Sequence, residues 1–96
     1  MTAQQHSSDT DRDALRQRMT EQLDSVLAHL DKITDPAERE LVARFLADEL
    51  LPSAVRRVKV VRGGAVQELR ADRTLREVAA LLGLSVPRVD QLAKGK

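Results

Sequence analysis

The 96 residues are 42% hydrophobic and 32% charged, with no cysteine, tryptophan or tyrosine and a single phenylalanine. A chain of this size closes one modest core with little room for an enclosed active site, and the lack of cysteine excludes disulfides, thiolate catalysis and cysteine-ligated zinc. The net charge of +1 hides a division: residues 1–51 hold 6 Lys/Arg against 11 Asp/Glu, while residues 52–96 hold 10 against 4, so the basic half suits either a polyanion or the acidic half itself.

Residues 1–9, MTAQQHSSD, are polar and aperiodic and read as a disordered tail, without the basic start and apolar stretch of a signal peptide. No apolar run approaches the roughly 20 residues that cross a bilayer, so no membrane partner is expected. Arg exceeds Lys by 12 to 4, which suggests a GC-rich bacterial genome, and the absence of cysteine fits a reducing cytoplasm.

From Asp11 the pattern changes. Leu15, Met19, Leu23, Val26, Leu30 and Ile33 are spaced 4, 4, 3, 4 and 3, which puts them on one stripe of an α-helix. Thr34-Asp35-Pro36 should stop that helix near Ile33 and start the next: Asp35 suits the N-cap, Pro36 the first helical position, and Glu38 completes a capping-box pattern. Ala37, Leu41, Phe45 and Leu46 then mark an apolar face running to about Leu51, where Pro52-Ser53 is expected to break it.

Residues 54–72 are ambiguous. Val58, Val61, Ala65 and Leu69 fit a helical stripe, whereas the β-branched run around Gly63-Gly64 fits a hairpin with a glycine turn. The helix, weakened or kinked at the glycines, is the reading adopted.

The last stretch, TLREVAALLGLSVPRVDQLAKGK, carries the most information. Thr74 and Glu77 form a capping-box pair that opens a short helix with Leu75, Val78 and Leu82 as its apolar face. Gly83 ends it, Ser85 caps the following helix, Pro87 is tolerated in the first turn, and Val89 and Leu92 face inward. Two helices crossing over a turn this short need a small residue where they meet, and Ala79, four before Gly83, supplies it.

This segment resembles the helix-turn-helix of bacterial regulators of the sigma-70 region 4 type, in particular small actinobacterial-type proteins whose endings share the form of AVQELRADRTLREVAALLGLSVPRVDQL. The resemblance runs ungapped from Ala65 to Leu92, about a third of the chain. It implies that 65–72 is a helix and that the second helix of the motif, about 86–93, enters the major groove of double-stranded DNA while the first crosses the backbone. Carried over by position, the groove-facing residues are Ser85, Val86, Pro87, Asp90, Gln91 and Lys94, with Gln91 suited to an adenine edge and Arg88 to a phosphate. Arg73 and Arg76, beside the motif, join Arg88 and Lys94 as phosphate contacts. Val86, Pro87 and Asp90 depart from the family, whose readers often carry long polar groups there.

Other chemistry finds no support in the residues. His6 and His29 have no matching ligands or acid–base partner, and Glu38-Glu40 and Asp48-Glu49 read as solvated helix charges. Gly63-Gly64 lacks the surroundings of a phosphate loop, and one phenylalanine makes no stacking platform. Neither catalysis nor a cofactor is expected.

The expectation is therefore an all-α small bundle of four to five helices. It comprises a disordered tail over 1–9, an acidic helical hairpin over 10–51, and a basic helix plus helix-turn-helix over 52–96. Sequence-specific DNA binding in transcription regulation, in the cytoplasm at the nucleoid, is the first reading. A homodimer is expected with it, because a lone helix-turn-helix usually gains site specificity by pairing. The alternative is a protein-interaction module for RNA polymerase, a sigma factor or another regulator.

Overall fold

The computed structural model describes residues 2–96, with side chains described from Asp9 onward. The fold is all-α: α1 (Thr2–Asp31), α2 (Pro36–Phe45), a π-helical turn (Leu46–Leu50), α3 (Leu51–Arg70), α4 (Leu75–Leu82) and α5 (Val86–Ala93). No strand occurs among the described residues, and no helix among them is long and apolar enough to cross a membrane. The chain divides into two compact units, Met1–Phe45 and Leu46–Lys96, earlier than the change of charge at 51/52.

In the first unit, the middle of α1 is supported by neighbouring side chains. Arg12 pairs with Asp9, Arg16 lies 3.7 Å from Asp13, and Gln17 Nε2 donates to Glu21 Oε1 at 2.9 Å. Pairs at this spacing contribute about 0.2–0.5 kcal/mol each. The helical backbone reaches back to Thr2, through the stretch expected to be disordered; Met1 lies outside the described residues. Extending a helix already formed is far easier than nucleating one, so low apolar content alone does not stop it.

The turn into α2 follows the capping pattern. The Glu38 N–H donates to Asp35 Oδ2 at 3.1 Å, and Arg39 Nη1 donates to the Ile33 carbonyl, left over at the end of α1, at 3.1 Å. Of the apolar face expected here only Leu46, in the π-helical turn, is buried, at 7% exposure; Leu41 and Phe45 are each 50% exposed, and α2 itself contains no buried residue. Ala28, Leu30, Ile33 and Ala43 are partly covered.

In the second unit, the break expected at Pro52-Ser53 does not occur. Pro52 stands in the first turn of α3, directly after the π-helical turn. A proline ring clashes with the carbonyl four residues earlier in a regular α-helix, and the wider π-turn relieves that clash. Gly63-Gly64 lies within α3, so the hairpin alternative is excluded. The stripe expected on α3 is also corrected: Val58, Val61 and Ala65 are exposed, and the inward face is Gly63, Val66 and the partly buried Leu69. A valine-rich helix offers more than one apolar stripe, and here close packing at a glycine selects which one turns inward.

The core of this unit is Val66 from α3, Val78 and Ala79 from α4, and Val89 and Leu92 from α5. Leu69, Leu75, Leu84 and Ala93 pack against it. Leu82, expected inside, is 42% exposed; it lines a shallow apolar groove with Leu69 and Leu84 instead. Eight residues of α4 give Leu75, Val78 and Ala79 to the core, and the helix ends before another turn can cover Leu82.

Candidate nucleic-acid interface

The interface is built from the caps of two short helices. Thr74 Oγ1 accepts from the Glu77 N–H at 3.1 Å, and the Thr74 N–H donates to Glu77 Oε1 at 3.0 Å, a reciprocal capping box. The Glu77 carboxyl is held below its ordinary value, first by the Thr74 backbone N–H, then by the Thr74 side chain and the nearby charge of Arg73. At the other end, Gly83 adopts φ 68°, a left-handed conformation that a side chain disfavours. The Leu84 N–H reaches back to the Ala79 carbonyl at 3.0 Å, so α4 is closed and the chain reverses within three residues.

Ser85 restarts the helix. Its backbone is extended, and its hydroxyl accepts from the Arg88 N–H at 3.2 Å. Pro87, in the first turn of α5, lacks an N–H that would have gone unpaired there. Val89 and Leu92 are buried at 0% and 2% exposure, which fixes which face of α5 turns outward.

Each residue expected at the interface can be located on that basis. Ser85, Val86, Pro87, Gln91 and Lys94 are exposed, while Arg88 and Asp90 are partly buried at the flanks. Arg88 Nη1 lies 3.4 Å from Gln91 Oε1, so these two side chains sit together one turn apart. Asp90 is paired with Lys94 Nζ at 2.8 Å, which offsets the one negative charge on the face. Arg73, in the turn before α4, pairs with Asp72 at 3.1 Å, and Arg76 is exposed on α4. Such exposed pairs are weak, about 0–1 kcal/mol, and exchange readily for another anion.

Two residues hold the arrangement in ways the sequence does not announce: Gln67 is not singled out by it, and Gly63 reads there only as a turn or a weak point of the helix. Gln67 of α3 donates from Nε2 to the Ala93 carbonyl at 2.8 Å, occupying an orphan acceptor at the end of α5. Gly63, one turn earlier, lies directly under the Leu92 carbonyl. Their only sequence signal is position: Gly63 and Gln67 are four apart and therefore share a helix face. Arg56 and Lys59, counted among the basic residues of this half, line a groove of about 520 Å³ with Leu92 and Gly95, at the C-terminal end of α5 rather than beside Val86 and Pro87.

Compared with family models, curated proteins and solved structures, the chain matches none.

Proposed function

We propose that the chain binds double-stranded DNA and regulates transcription, with α5 seated in the major groove and no chemical step. One observation carries the reading: α5 buries Val89 and Leu92 against α3 and α4, so Val86, Pro87, Gln91 and Lys94 form an outward face with Asp90 partly buried at its flank. A recognition helix needs its inward face fixed by a scaffold and its leading residues free to meet base edges. Gln91 offers a donor and an acceptor for an adenine, and Val86 an apolar contact for a thymine methyl. Asp90 would accept from a cytosine amine, with Lys94 offsetting its repulsion of phosphates. Arg73, Arg76 and Arg88 supply phosphate contacts around that face. Work at the nucleoid, in the cytoplasm, belongs to the same reading.

A second reading has its own support. Leu81 is 60% exposed and, with Leu82 and Val86, leaves apolar surface beside the motif, which suits a protein of the transcription machinery. Direct DNA binding separates the two readings, because each neutralised phosphate releases counterions and gives a steep, countable salt dependence. Fluorescence anisotropy of labelled duplex DNA between 50 and 200 mM salt is the test. A protein that neutralises four phosphates would follow a log–log slope of about −3.6. Absence of binding at the lowest salt would remove the DNA reading and leave the protein partner.

A further inference from the structure

Arg56 and Lys59 have no partner inside the protein. At 3.6 residues per turn, Arg56, Lys59, Gly63 and Val66 fall within about 80° of one another on α3, so the face that meets α5 at Gly63 continues beside the end of α5 with two cations. Between Glu49 and Glu68 the sequence holds no carboxylate, whereas every ion pair among the described residues joins positions at most four apart. Nor do the two side chains cap α5, because its last four carbonyls are already occupied. The Asp90 carbonyl accepts from the Lys94 N–H at 3.1 Å, that of Gln91 from the Lys96 N–H at 2.8 Å, that of Leu92 from the Gly95 N–H at 3.2 Å, and that of Ala93 from Gln67.

We infer that the groove lined by these two cations binds an acidic peptide segment that carries an aliphatic side chain. At about 520 Å³ the groove falls within the roughly 300–1,000 Å³ of ligand clefts. Two positive charges without an internal counterion call for an anionic occupant. The rest of the lining selects its class: Val60 is 75% exposed, Leu92 adds apolar surface, and Gly63, Gly64 and Gly95 bring no side chain to fill the space. A sugar–phosphate backbone offers no aliphatic group to cover Val60. Val86, Pro87 and Gln91 do not line the groove, so it is no part of the face that reads bases. An extended peptide supplies carboxylates and an aliphatic side chain within a few residues. The site stands whether or not α5 binds DNA.

Selection from a random displayed peptide library by the full chain should enrich sequences that combine Asp or Glu with Leu, Ile or Val. An enriched peptide, titrated into nitrogen-15-labelled chain, should move the amide signals of Gly63, Gly64 and Gly95 and leave that of Gly83, the remaining glycine, in place. Arg56→Glu with Lys59→Glu should weaken binding about tenfold. Gly64→Leu should block it by volume, since a Cβ at that position meets nothing within 4 Å and the fold is undisturbed. An unmoved Gly83 signal in each variant reports that the fold is kept. A selection that enriches no acidic motif overturns the inference, and so does a peptide that binds Gly64→Leu as tightly as wild type. A short duplex DNA that moves the same three glycines as strongly as the peptide would make the groove a phosphate surface and overturn the assigned partner.

Discussion

Gly63 and Leu92 meet backbone to backbone: a Cβ built on Gly63 would stand 2.7 Å from the Leu92 carbonyl oxygen. That approach, with the Gln67 bond to Ala93 beside it, anchors the C-terminal end of α5 on α3 and leaves its N-terminal end outward. The neighbouring glycine is under no such constraint, since a Cβ on Gly64 meets nothing within 4 Å. Gly63→Ala should therefore destabilise the fold by about 1–3 kcal/mol through overpacking. Gly64→Ala should stabilise it by about 0.5–1 kcal/mol through helix propensity. Urea unfolding followed by circular dichroism checks the opposite signs; equal effects at the two positions would contradict the packing.

Gly83 makes a different demand. A Cβ there has open space, but φ 68° disfavours any side chain. Gly83→Ala should cost about 1–2 kcal/mol by strain alone, and Gly83→Asn less, because asparagine tolerates the left-handed region. Melting temperatures should rank wild type above Gly83→Asn above Gly83→Ala.

The capping box makes part of the stability depend on acid. Glu77 has a folded pKa below its ordinary 4.5, so its contribution is complete above the unfolded value and is lost as pH falls through the folded one. Glu77→Gln keeps the hydrogen bonds of a capping box without titrating. Stability measured from pH 6 downward should fall more steeply for wild type than for Glu77→Gln below about pH 4.5. Thr74→Ala removes the cap itself and should cost about 1 kcal/mol at neutral pH.

The helix-turn-helix was legible from the sequence, and the region before it less so, for a physical reason. Thr74, Glu77, Gly83 and Ser85 act on backbone groups within four residues, so their roles can be read locally. Val78, Ala79, Val89 and Leu92 are buried as their spacing predicts. Pro52 does not break the helix because it stands in the first turn of α3, directly after a π-helical turn that no local residue pattern announces. Gly63 looked like a weakness because its reason lies 29 positions away, at Leu92. Leu41, Phe45 and Leu82 were expected inside on periodicity, but periodicity marks a face without showing whether anything is long enough to cover it.

On the outward face, the Asp90–Lys94 pair predicts how charge tunes affinity. Lys94→Ala should weaken binding about equally across DNA sequences and reduce the salt slope by about 1, as expected for one phosphate contact. It also leaves Asp90 without its offsetting charge. Asp90→Asn should strengthen binding to non-specific DNA, and anisotropy titrations with unrelated duplexes would detect both changes.

The central claim is that the outward face of α5 reads base pairs. Selection of bound fragments from a random duplex library by the purified chain tests it most directly. The account predicts one enriched sequence motif, and an Arg88→Ala, Gln91→Ala double variant that loses preference for part of it. No enrichment at low salt, or an enriched motif unchanged in the double variant, would contradict it.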